Sequence, residues 1–209
     1  CLPYAIDRKP GDLTLSEITE SAISFLTKGN NKGFFLMVEG GKIDWACHSN
    51  DPATVFEEVV DMDNAVKVAY EFYKKHPKET LIVVTADHET GGLGLGTGRY
   101  ELYLKSLSNQ KHSQDLLSTA ITDLRKDKSD KASWEDVKAL LAEKMGFWKT
   151  LPLTWEQEKM LRDEYGGKVP DDFDALLKLP GVGRKSANLI MGDVFGKPAI
   201  VTDLSLIHI

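Results

Sequence analysis

Two continuous apolar runs constrain the fold of this chain more than any other feature. Residues 33–40, "GFFLMVEG", and 80–87, "TLIVVTAD", carry no polar alternation, as expected of strands buried on both faces. Between them Pro52 opens a helical pattern with Val55, Val59, Met62, Val66, Ala69 and Tyr73 on one stripe, closed by Pro77. Strand, helix and strand across 33–87 form a βαβ unit, which predicts parallel strands and a right-handed crossover. The first half is therefore predicted to be α/β.

The flanking segments read as helices. Thr14 with Glu17 makes a capping box ahead of Leu15, Ile18, Ala22 and Phe25, and Gly29 is the expected stop. Residues 112–127, 133–145 and 154–164 are predicted helices, the last two opened by Ser133 with Asp136 and by Thr154 with Gln157. The charged "RKDKSDKAS" between the first two reads as a solvated connection. At 166–170, "GGKVP" marks a break. Beyond it "DDFDALLKL" and "RKSANLIMGDVFG" are two short helices joined by "PGVG".

Charge and cysteine content narrow the function classes. The net charge of −6 argues against a general nucleic-acid binder, and residues 1–165 hold the deficit. Cys1 and Cys47 make neither a CxxC pair nor a disulfide framework. No apolar run is long enough to cross a membrane as a helix. The chain starts at Cys1, without Met or signal peptide, and reads as cut from something longer.

Both apolar runs end in groups that suit a cation. Glu39, Asp44 and His48 follow the first, and Asp87 with His88 follows the second. In open α/β sheets, sites lie beyond the carboxyl ends of the strands. Ionised carboxylates at the mouth of a buried strand are costly to desolvate unless something positive sits among them. Imidazole with carboxylate suits zinc, and carboxylate suits magnesium. The plainer alternative is that each Asp–His pair is a surface hydrogen-bonded pair. Ser49 reads as a polar loop residue, His112 as an exposed helix start, and His76 as a helix-end residue favoured by the dipole. "GGLGLGTG" does not fit GxGxxG and is not read as nucleotide-binding.

"MVEGGKIDWACHSND" together with "TADHETGG" resembles the second half of bacterial alkaline phosphatases, over about residues 2–165. The resemblance implies an incomplete three-layer α/β/α sandwich with a mostly parallel sheet. It implies magnesium at Glu39, one zinc at Asp44 and His48, and a second zinc at Asp87 and His88. Two zincs roughly 4 Å apart would hold the attacking and leaving oxygens of a phosphomonoester substrate. Gly91 and Gly92 would let the chain turn sharply beside the metals. The resemblance further allows a homodimer and implies a periplasmic or secreted location, and the lack of a spanning apolar run predicts no membrane partner. The family's nucleophilic serine, its phosphate-clamping Arg, the N-terminal Asp shared between metals and its last zinc His have no counterpart in this sequence. A catalytically inactive chain that holds metal weakly is the expectation.

The third texture is different. "LPGVGRKSANLIMGDVFGKPAIVTD" resembles the helix-hairpin-helix of endonuclease III-type DNA glycosylases, over about 166–203. Gly181 and Gly183 would allow a tight hairpin whose backbone N–H groups meet a DNA phosphate. The resemblance assigns a Schiff-base role to Lys185 and an assisting role to Asp203, with a cytoplasmic location. The base-flipping helices and iron–sulfur cysteines of that family have no counterpart here. The last residues, 204–209 "LSLIHI", look like one reading frame of a sequencing adapter. The expected organisation is thus an alkaline phosphatase-like partial domain at 1–165, a helix-hairpin-helix fragment at 166–203 and an artefactual tail at 204–209, joined as a chimera.

Overall fold

The computed structural model describes residues 2–29, 32–89, 91–94, 104–129, 131–159 and 161–162. Six α-helices run through them: α1 (Leu15–Thr27), α2 (Gly41–His48), α3 (Pro52–Lys75), α4 (Gln114–Asp127), α5 (Trp134–Lys144) and α6 (Trp155–Lys159). Two 3₁₀ turns, Ala5–Asp7 and Leu104–Asn109, complete the order. The longest helix, α3, is the spine against which α1, α2 and the Ala5–Asp7 turn pack.

Helix starts follow local chemistry. Thr14 and Glu17 exchange side chain-to-backbone hydrogen bonds in a reciprocal capping box, and Ser133 and Asp136 do the same. Thr154 and Gln157 repeat the exchange at α6, at 2.9 and 3.3 Å. The predicted helices at 112–127 and 133–145 are thus present as α4 and α5, and the one at 154–164 is present over its described residues as α6.

The expected sheet is absent among the described residues. Among the described residues, 33–39 and 80–86 belong to no strand, and the α/β sandwich with a parallel sheet is overturned by a helical architecture. Phe34 leans on Phe72 of α3 with ring centroids 5.8 Å apart. The next residues face outward: Phe35 is 89 % exposed and Leu81 86 %. An apolar run shows that a segment would be stable between neighbours, but it supplies no neighbour. A strand needs a ladder partner distant in sequence, and neither run finds one among the described residues. The helix-hairpin-helix segment expected at 166–203 lies outside the described residues.

The spine also buries a different face from the one its apolar stripe predicts. Of that stripe Val55 is buried, Met62, Val66, Ala69 and Tyr73 are half-buried and Val59 is exposed, while Thr54, Glu58, Asp61 and Ala65 lie inside. The 3–4 spacing is kept and the face is rotated by one residue. Polar fastening accounts for the rotation. Ala5 N–H donates to Glu58 Oε1 at 2.7 Å, and the Arg8 guanidinium grips Asp61 with two bonds of 2.7 and 2.5 Å. This bidentate geometry raises the Arg8 pKa, and burial raises that of Glu58. Tyr4 completes a small apolar cluster with Ala46, Cys47 and Val55, on which Ile6, Ile43 and Leu93 pack. Burial, reinforced by nearby Asp115, pushes the Tyr4 hydroxyl up to about 12.

Asp51 is a second fastening point. Its carboxylate caps α3 by accepting from Thr54 N–H and Oγ1, and it also accepts from Gln110 Nε2 and Gln114 N–H. Ser113, at the cap of α4, donates through N–H and Oγ to Asp7. Buried and half-buried carboxylates thus tie residues 5–8 to α3 and to the start of α4.

Candidate metal-binding region

Asp44 and His48 sit on a short helix and not at a strand tip. One turn of α2 separates them, which sets their side chains on one face, with His48 Nε2 3.2 Å from Asp44 Oδ1. That oxygen is buried and accepts no hydrogen bond among the described residues. Glu39 lies at the start of the same helix. A Cβ placed on Gly41 would stand 3.1 Å from Glu39 Oε1, so the carboxylate rests over the first turn of α2, the positive end of its dipole.

Asp87 and His88 form the second pair, again at 3.2 Å between Oδ2 and Nε2. His88 Nδ1 is 2.6 Å from the Glu89 carbonyl, so its N–H donates there in the tautomer that leaves Nε2 toward Asp87. The Asp87 carboxylate is largely exposed, and the His88 ring is about a third exposed.

The segment after this pair docks onto the C-terminal end of α2. Gly91 lies so close that a Cβ there would collide with His48 Nδ1 and come within 2.6 Å of His48 Cα. Leu93 enters the apolar cluster beside Ala46 and Cys47, and Gly94 N–H donates to Asn50 Oδ1 at 2.8 Å. Asn50 holds a positive φ of 49°, which Asn tolerates better than most residues and which aims its amide at Gly94. Only glycine at 91 allows so close an approach. This places the segment following Asp87 and His88 against His48.

The donors nevertheless remain two pairs. Among the described residues no group of three or more His, Cys, Asp and Glu side chains gathers in an arrangement able to hold a metal ion. Zinc is held by three or four protein ligands, so neither pair fits a resident ion as it stands.

Three features of this region escaped the sequence reading. Residues 41–48 were not assigned to a helix, although the i,i+4 spacing of Asp44 and His48 is a helical signal. Asp51 was not singled out, although Asp before Pro is a recognisable helix start. Lys42, one residue into α2, places Nζ 3.9 Å from the Tyr4 ring centroid and 5.4 Å from that of Trp45. It thereby ties α2 to the chain's beginning. The contact joins residues too far apart for local pattern to reveal. Lys185, Asp203, Gly181 and Gly183 lie outside the described residues.

The alkaline phosphatase family model matches residues 1–158. The chain belongs to the alkaline phosphatase family. Among its relatives, "Alkaline phosphatase 3" of Bacillus subtilis is 42% identical over 123 residues, covering 58% of this chain and 26% of that protein. "Repressible alkaline phosphatase" of Saccharomyces cerevisiae is 39% identical over 134 residues, covering 58% and 24%. "Alkaline phosphatase" of Escherichia coli is 51% identical over 75 residues, 36% of this chain and 16% of that protein. This family member spans about a quarter of the length of the first two relatives. A helix-hairpin-helix motif matches residues 164–192. Use of metal ions is general to the family, and no helix among the described residues is long and apolar enough to cross a membrane.

Proposed function

We propose that this chain carries part of the metal site of a phosphomonoester hydrolase and that, as it stands, it does not turn over substrate. The observation that carries the reading is the approach of Gly91 to His48, which joins the segment bearing Asp87 and His88 to the helix bearing Asp44 and His48. Under this reading Asp44 with His48 supplies donors for one zinc, Asp87 with His88 for another, and Glu39 for magnesium. Each pair alone supplies two of the three or four ligands zinc requires, which supports weak metal binding. Inactivity follows from the missing serine, arginine and last histidine. The homodimer and the periplasmic or secreted location belong to this reading through family membership.

The test is zinc and magnesium content after equilibrium dialysis, alongside hydrolysis of a generic phosphomonoester. Retained zinc that falls after His48→Ala or His88→Ala, without turnover, is the expected result. Equal zinc in wild type and both variants would remove the metal reading. Turnover above background would remove the claim of inactivity.

The helix-hairpin-helix match at 164–192 favours a second reading, DNA binding through Gly181 and Gly183 with lyase chemistry at Lys185 and Asp203. Salt-sensitive DNA binding lost on changing both glycines would support the binding part. Borohydride trapping of DNA on Lys185 would support the chemistry.

A further inference from the structure

Helix α2 ends in a turn that leaves one side chain to be accounted for. Asn50 N–H donates to the Cys47 carbonyl at 2.9 Å, and Asp51 N–H donates to the Ala46 carbonyl at 3.0 Å. With Ser49 as the cap, these are the two bonds of a Schellman turn, and the residue that takes the left-handed conformation is Asn50, at φ 49°. Glycine fills such a position at no steric cost, whereas asparagine brings an amide that the turn itself does not use. Here the amide is used across the fold: Asn50 Oδ1 accepts from Gly94 N–H at 2.8 Å, 44 residues on.

We propose that Asn50 is a positioning residue, whose side chain latches residues 91–94 onto the end of α2 and so fixes where the segment bearing Asp87 and His88 meets His48. What the two Asp–His pairs then do rests on the phosphatase reading; the latch does not. The neighbouring contacts show why a directional bond is needed. Leu93 packs on the cluster of Tyr4, Ala46, Cys47 and Val55, but apolar contact is non-directional and would tolerate a slip along the helix. Gly91 permits the approach to His48, since a Cβ there would stand 2.6 Å from His48 Cα, yet glycine has no side chain with which to hold it. The Asn50 bond supplies what both lack, a fixed partner and a direction.

Amide exchange of the whole chain, free of metal, tests the latch. Asn50→Gly is the informative variant, because it keeps the left-handed turn and removes only the acceptor. It should speed exchange at 92–94 by about two- to tenfold, the worth of one net hydrogen bond, with α3 amides unchanged. Asn50→Asp, which keeps an acceptor oxygen and tolerates the same turn, should restore the wild-type rate. Gln110→Ala, which removes a long-range bond to the adjacent Asp51, should leave 92–94 as in wild type. Zinc content after dialysis reads the positioning role: it should fall in Asn50→Gly and recover in Asn50→Asp. Unchanged exchange at 92–94 in Asn50→Gly overturns the latch, whatever the zinc content. Faster exchange with zinc retained as in wild type, although His48→Ala loses it, overturns the positioning role and leaves the phosphatase reading intact. Zinc that His48→Ala does not lower removes that reading and the positioning role with it, while the exchange result still decides the latch.

Discussion

The face of α3 that packs on residues 4–8 and the apolar runs at 34–37 and 81–84 invert the usual division of labour. The first is buried and largely polar: Thr54, Glu58 and Asp61 lie inside. The second is exposed and wholly apolar at Phe35, Met37, Leu81, Val83 and Val84. Burial here follows the availability of partners and not hydrophobicity as such. Glu58 and Asp61 find an amide and a guanidinium within reach, whereas the apolar runs would need strands that the described residues do not offer.

Four measurements would break or sharpen this contrast. Arg8→Ala should have the largest effect, because it strands Asp61 as an uncompensated buried carboxylate. Breaking one partner of such a pair costs about 3–5 kcal/mol, readable as a lowered urea midpoint. A loss near zero would show that the polar face is not what holds α3. Asp51→Ala removes a helix cap and two longer-range bonds together. Its expected cost is about 2 kcal/mol, and Asp51→Asn should recover part of it, since Asn caps well and keeps one acceptor oxygen.

Glu58 makes a pH-dependent contribution. Burial raises its folded-state pKa above the ordinary carboxylate value, with the Ala5 N–H bond opposing the shift. The folded state therefore holds its proton more tightly than the unfolded chain. The resulting stabilisation is complete below the unfolded pKa and is lost as pH rises through the folded pKa. Wild type should consequently lose stability relative to Glu58→Gln on going from acid to neutral pH, measured as the difference in urea midpoints. A difference that is flat with pH would place Glu58 in contact with water. The smallest effect belongs to the other region. Phe35→Ser, at a fully open position, should change stability by no more than about 0.5 kcal/mol, and a loss of several kcal/mol would mean that 34–37 is covered in solution.

Legibility of the candidate site was uneven for the same reason. Glu39, Asp44, His48, Asp87 and His88 could be named from residue type and motif, because donor chemistry is a property of single side chains. How the two pairs are positioned in the fold could not. Asp44 and His48 pair across one turn of a helix that the reading did not expect, and Gly91 reaches His48 through a loop that bypasses any sheet. The family match at 1–158 agrees with the motif reading, while the helical architecture contradicts the fold inferred from the same residues.

What the amino-acid order determined unaided is the set of helix beginnings at Thr14, Pro52, Ser133 and Thr154, and the two Asp–His pairs. Each rests on groups at most four residues apart, so the local chain already contains every atom involved. Tertiary structure alone decided which face of α3 is buried, that the apolar runs stand unpaired among the described residues, and that Gly91 closes on His48. Those outcomes depend on contacts across some forty to fifty residues, such as Ala5 with Glu58 and Gly94 with Asn50. Over such distances a segment's preference is outweighed by whichever partner the rest of the chain can bring to it.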